Sequence, residues 1–357
     1  MVAGLLALSS PFAAVDRLWL DASLRALAPE PAADAHAVVL DIDAGSLAAL
    51  QPLHGPSPLP RGLHAAVAAR LLDAGALAVV FNLDFGDPRP DDDALAALAA
   101  SRGRMVFGAA LAASPGEAGG AGRAVGAAWR VPPLALQANA VPVGAITLPL
   151  DDDGRLRCLP AKVPGGDEGL PALPLAALRL LHPEVAPPGD AGCLLLRLPA
   201  RADAVPALPY AAFATEPAAA AAAARVNGRA VFVGSPSLLE APVRTAWGEI
   251  GGTQWQALAY EALRAGWVLA PASAGSTGLL LVLALVPAAM PRRWLPGGGP
   301  PGVFSAAALA VFGAVAAIGF GLQAGFAERA LVPLALLLGA ARAGSATRPR
   351  RRPAPAA

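Results

Sequence analysis

The chain has 357 residues, of which 55% are hydrophobic and 15% charged, with a net charge of +1 and a mean hydropathy of +0.52. Soluble globular domains carry about a quarter charged residues, so this composition points to a membrane protein. With no strong positive field, and no helix-turn-helix, zinc or RNP pattern, nucleic acid is excluded as a partner. Arginine supplies nearly all the positive charge, since Lys162 is the only lysine.

The chain opens on an apolar stretch, residues 1–15, "MVAGLLALSSPFAAV". It is shorter than a membrane span and lacks the basic start of a signal peptide, and is read as a truncated N-terminal anchor. From His36 to Pro271 short β-like runs alternate with helical stretches. Strands are expected over 36–43, 77–85, 103–111, 192–199 and 228–236. Helices are expected over 60–76, 91–101, 171–183 and 251–267. Residues 116–128 and 184–192 read as loops, while the alanine-rich 216–228 reads equally as helix or filler. Strand, helix, strand at this spacing predicts an α/β fold with a mostly parallel sheet flanked by helices. The runs are apolar on both faces, as a sheet covered on both sides requires.

A membrane region is expected at the carboxyl end. Residues 273–290 and 303–320 contain no charged side chain, and a shorter apolar run covers 329–341. These predict a helical transmembrane region of three spans over 272–342. Arg292 and Arg293 follow the first span, and Arg342, Arg348, Arg350, Arg351 and Arg352 follow the last. The positive-inside rule then places both clusters in the cytoplasm and residues 16–271 outside. Residues 343–357 become a basic cytoplasmic tail that fixes topology. The protein is expected in the inner (plasma) membrane, multi-pass, in contact with the lipid bilayer, its main domain periplasmic or extracellular.

Within the outer segment, "VVLDIDAGSL" ends a strand in Asp41 and Asp43. In one class of phosphotransferases such a pair supplies nucleophile and acid. Here Ala44 and Gly45 stand where that pattern needs Thr or Val, and no matching lysine and acidic pair follow. The aspartates are therefore read as closing a strand at the carboxyl edge of the sheet and helping to cap the next helix. That edge is also where open α/β sheets hold small molecules. Asp87, Asp91, Asp92 and Asp93 lack calcium-loop spacing and are read as acids at a helix N-terminus. "LDDDGRLRCLP" reads as a hairpin with an Asp-Gly turn, its Arg155 and Arg157 on one strand face, either clamping an anion together or solvated or paired. Cys158 and Cys193 are the only cysteines, and pairing or two buried thiols both remain open. The histidines are scattered and no metal site or cofactor is expected. No nucleophile elbow is present, and no enzyme activity is expected.

The order of these features resembles the second class of CHASE domains, extracytoplasmic sensory modules joined to cyclases, histidine kinases and serine/threonine kinases. The resemblance rests on the acidic strand end in "VVLDIDAGSL", the Pro-Arg start of the helix in "PLPRGLHAAVAARLLDAGA", and the acidic linker "GDPRPDDDAL". It continues through Asp153, Gly154 and Arg157, the "VFVG" strand and three spans, covering residues 16 to about 342. The chain departs from members of the family at Asn82, where aspartate is frequent, and at Gln254-Trp255-Gln256, where histidine and alanine are common. The loop after Gly234 follows the family pattern only loosely. The resemblance implies a membrane-anchored sensory module that binds an extracytoplasmic ligand. With no output domain after its spans, it would signal to a separate cytoplasmic kinase or cyclase, and homodimerisation is implied as well. The alternative is a cell-envelope structural or assembly protein that binds another protein through its outer domain. Candidate ligand-binding residues are Asp41, Asp43, Asp84, Arg61, Arg155 and Arg157.

Overall fold

The computed structural model describes residues 10–31, 34–55, 58–111, 129–132, 141–165, 169–185, 193–238 and 240–269. The chain divides into two units, residues 1–27 with 269–357, and residues 28–268. In the first unit helix α1 (Ser10–Ala26) is described, continuing past the apolar stretch that opens the chain. The three expected spans and the basic tail lie outside the described residues. Among the described residues, no helix is long and apolar enough to cross a membrane.

The second unit is α/β. Its elements run β1 (Ala37–Asp41), α2 (Ala44–His54), α3 (Arg61–Asp73), β2 (Ala78–Phe81), α4 (Asp92–Arg102), β3 (Met105–Leu111), β4 (Trp129–Arg130) and β5 (Val143–Ala145). They continue with β6 (Cys158–Leu159), β7 (Lys162–Val163), β8 (Leu170–Pro171), α5 (Leu173–Leu181), β9 (Leu194–Leu196), β10 (Ala207–Pro209) and a 3₁₀ turn over Tyr210–Phe213. Last come α6 (Glu216–Ala222), β11 (Ala230–Gly234), β12 (Val243–Thr245), β13 (Gly248–Ile250), α7 (Gly252–Arg264) and β14 (Val268–Leu269). The expected strands and helices are all present, with ends trimmed by a few residues. The alanine-rich stretch is a short helix, followed by a 3₁₀ turn over Ala223–Arg225.

The main sheet has the order β10-β1-β11-β2-β3, with β5 also beside β3. These strands are parallel, and β4 joins β3 antiparallel. Val38 and Leu40, Val79 and Phe81, Met105 and Phe107, and Val231 and Val233 face one core, built with α2, α3 and α4. The intervening Val39, Val80, Val106 and Phe232 face a second core, built with α5 and α7. The period of two along each strand therefore serves two cores, which is why the runs read as continuously apolar.

Around Asp151 the expected hairpin is a turn without a ladder of its own. Gly154 N donates to Asp151 O at 2.8 Å and Asp151 N to Arg155 O at 2.9 Å. Beyond the turn the chain pairs elsewhere: Leu156 N donates to Arg244 O, and β6 pairs antiparallel with β9. Leu156 and Leu159 are buried in the second core, and that burial draws the strand away from the segment preceding the turn. The two cysteines are joined, with Cα atoms 5.6 Å apart across the β6–β9 pair.

Candidate functional site

Strand β11 lies between β1 and β2, although it follows both by more than a hundred residues. After β1 the chain leaves to α2 on one face of the sheet, and after β11 to α7 on the other. Connections that part in this way mark the switch point, the crevice position of open α/β sheets. The ends of β1, β11 and β2 line it with Asp41, Asp43, Ser235 and Asn82.

Asp43 is the N-cap of α2. Its Oδ1 accepts from Ser46 N at 2.6 Å, satisfying an amide that the helix itself leaves open. Asp41 is different. Its Oδ1 is buried and has no hydrogen-bond partner among the described residues. Burial pushes its carboxyl above the usual range; hydrogen bonds from Ser237 oppose the shift, and the charges of Asp43 and Glu240 add to it. The charged form of Asp41 is thus held at a cost.

The centre of the crevice is Glu240, on the connection between β11 and α7. Its Oε1 accepts from Ser235 N at 2.9 Å, from Asn82 Nδ2 at 3.2 Å and from the Thr253 hydroxyl. Its Oε2 accepts from Thr253 N at 2.6 Å. One carboxylate thus ties the ends of β11 and β2 to the first turn of α7, where the helix dipole favours negative charge. Asn82 Nδ2 also donates to Thr253 Oγ1 at 2.7 Å, while its Oδ1 is buried without a partner among the described residues. Ser235 Oγ donates to Ile42 O at 2.8 Å and locks β11 to the end of β1. Gly234 has to be glycine here, because a Cβ would lie 1.9 Å from Thr253 Oγ1.

The six residues named from the sequence do not form one site. Asp41 and Asp43 lie in the crevice. Asp84 sits past the end of β2, where Oδ1 accepts from Gly86 N at 2.8 Å and Oδ2 pairs with Arg130 Nε at 2.9 Å. Arg61 is 3% exposed and pairs with Asp92 at 3.2 Å, its guanidinium 4.1 Å above the Phe85 ring. Arg157 is buried and grips its own turn, donating to Asp151 Oδ2 at 2.7 Å and Asp153 Oδ2 at 2.6 Å. It staples the Asp-Gly turn and does not face outward with Arg155 as a clamp. Arg155 lies on that turn, its backbone bridged to Arg244.

The acids of the linker after β2 also act locally. Asp92 and Asp93 occupy the first turn of α4. Asp91, at the N-cap position of α4, instead accepts from Gly62 N at 2.9 Å and so caps the neighbouring helix α3. Between these helices His64 is enclosed by Phe81, Phe85 and Tyr210, and shares a 2.8 Å hydrogen bond with the tyrosine hydroxyl. Burial, with the nearby Arg61 and Arg89, lowers its pKa to about 3, so it stays neutral.

Ser235, Glu240 and Thr253 belong to no motif in the sequence, whereas Asn82 stands out there as a departure from the aspartate frequent in the family. One signal was available: Glu240 is the only acidic residue between Gly234 and Glu249, ahead of a helix opening on Gly-Gly-Thr. Among the described residues, no cluster of histidine, cysteine or acidic side chains has the arrangement to hold a metal ion.

A mostly parallel sheet covered on both faces, with a polar crevice at its carboxyl edge, is the architecture in which open α/β domains take up small molecules. The particular family follows from the sequence match: a model of the CHASE2 domain matches residues 1–290, and the chain belongs to that family of extracellular sensory domains. No curated protein and no solved structure matches the chain.

Proposed function

We propose that the chain is the signal-input part of a membrane-anchored receptor, with residues 28–268 outside the cytoplasm and a kinase or cyclase as the cytoplasmic output. The observation that carries this reading is the Cys158–Cys193 disulfide, in a chain that uses no other cysteine. Disulfides persist in oxidising compartments and are rare in the cytosol. The charge-free stretches 273–290 and 303–320, with arginines after the first and the last span, support the same orientation.

The crevice between β1, β11 and β2 is the proposed ligand site. Its groups without a partner among the described residues are two buried acceptors, Asp41 Oδ1 and Asn82 Oδ1, which suits a ligand presenting hydrogen-bond donors. A non-catalytic role is supported by Asp43, whose carboxylate is already engaged as a helix cap. Of the residues named from the sequence, Arg61 and Arg157 contribute to folding in this reading and not to the ligand.

Topology is the direct test. Reporter fusions after Pro271 and after Arg352 are expected to report opposite compartments. An impermeant thiol reagent is expected to label a Ser101→Cys variant in intact cells, Ser101 being exposed on α4. Equal reporter signals at the two points, or labelling only after lysis, would overturn the proposal.

A further inference from the structure

Helix α7 runs from one edge of the sheet to the other. Its thirteen residues rise about 20 Å at 1.5 Å each. At the carboxyl edge its first turn is held by Glu240. At the amino edge its last turn holds the start of β1: Glu261 Oε1 accepts from Ala37 N at 2.5 Å, and Arg264 Nη2 donates to His36 Nδ1 at 2.6 Å. Just past the helix Trp267 O accepts from Arg197 N at 2.9 Å, and the chain enters β14 beside β9.

Between these ends the helix is an apolar bar. Thr253 and every residue from Trp255 to Leu263 are buried, packed on β1, β11 and α5. Close-packed elements of this kind move as units, because their interfaces do not deform continuously. The N-terminal anchor of the helix is also unusual in origin. Its own N-cap, Gly251, offers no side chain, and the cap comes from Glu240, thirteen residues before Thr253. That carboxylate is shared with Asn82 of the β2 end and Ser235 of the β11 end. The position of α7 is therefore written into the crevice.

We propose that Glu240 and α7 form the transmission element of the domain: withdrawing the Glu240 carboxylate from the helix N-terminus loosens the hold of α7 on the start of β1 and on Trp267, at the entry to β14. Glu240 is a positioning residue in this scheme, acting through the helix. The meaning of the device as signalling rests on the sensory reading above. The coupling itself does not, and is measured without any stimulus.

The test is hydrogen exchange read by mass spectrometry on the full chain in lipid nanodiscs, comparing the parent with Glu240→Gln. Exchange of peptides containing Ala37 and Arg197 is expected to rise about tenfold, from the loss of charge-assisted hydrogen bonds at the far end of the helix. Peptides covering β2 and β3 are expected to keep their parental rates. A rise confined to the neighbourhood of Glu240, or an equal rise through β2 and β3, would overturn the proposal. Thr253→Val removes only the hydroxyl and keeps the amide bond to Glu240 Oε2. It serves if Glu240→Gln does not accumulate, with a smaller rise of about threefold expected at the same far-end peptides, and an unchanged far end refutes the coupling. Coupling together with a failed topology test would retain the device and remove the sensory reading, and the converse holds equally.

Discussion

Replacing Arg61 by methionine separates a folding role from ligand contact. The substitution keeps most of the stem volume and removes the charge. Asp92, 5% exposed, is then left with a single donor among the described residues, Arg89 N at 2.8 Å. The cation above Phe85 and the 3.2 Å pair with Asp92 are both lost. Removing one partner of a buried pair costs about 3–5 kcal/mol, because the other charge stays buried without compensation. For a domain of this size each kcal/mol lowers Tm by about 2–4 °C, so a fall of about 6–20 °C is expected. The double variant Arg61→Met with Asp92→Leu removes the stranded charge and is expected to recover most of the loss. Thermal unfolding of the full chain in detergent, followed by near-ultraviolet circular dichroism, measures all four corners of the cycle. A single-variant loss under about 1 kcal/mol, or a double variant as unstable as the sum of the singles, refutes the assignment of Arg61 to the core.

Three further outcomes are expected. Replacing Cys158 and Cys193 by serine reopens a loop with a sequence separation of 35; loop-closure entropy puts the loss at about 4 kcal/mol, measured as a lower urea midpoint that reductant no longer changes. Gly154→Val is expected to cost roughly 1–2 kcal/mol, because φ is +73° while an added Cβ meets nothing within 4 Å, so the penalty is backbone conformation alone. Gly154→Asn should cost less on the same melting curve, and equal Tm values for valine and glycine would refute this. Asp41→Asn is expected to stabilise the protein at pH 7. Burial raises the folded-state pKa of Asp41, so its charged form opposes folding once pH exceeds that value, and the penalty is absent below the unfolded value of 3.8. The gain in Tm should therefore shrink as pH falls toward 4, and a gain that persists or grows in acid would contradict the assigned shift.

Much of the layered architecture was legible from local chemistry. The runs at Val38–Leu40, Val79–Phe81 and Val231–Val233 are apolar on both faces, and a strand with two covered faces needs nothing else. Gly154 announced its turn because few other residues tolerate the required φ. Asp43 announced its cap because a short acceptor before a helical run has an amide within reach. The order of the motifs was enough to indicate the CHASE2 family, which the match over residues 1–290 bears out.

Partners distant in sequence were decided only by the tertiary structure. Asp91 stands at a helix start as its sequence indicates, yet the amide it satisfies belongs to α3, 29 residues earlier in the chain, because α3 and α4 pack together. Arg157 reads from sequence as part of an anion clamp or as a solvated or paired side chain, and it is paired, because the turn folds Asp151 and Asp153 back onto it. The two cysteines met because β6 pairs with β9, a register no spacing rule contains. Glu240 stands out locally only as a lone acid, and its role is not local: its partners Asn82 and Thr253 come from both sides of it in sequence and converge only once β11 inserts between β1 and β2. Periodicity, turns and caps are set by atoms a few residues apart, so the sequence alone specifies them. Convergence of three strand ends depends on which strand lies beside which, and that order is chosen by the packing of two whole cores.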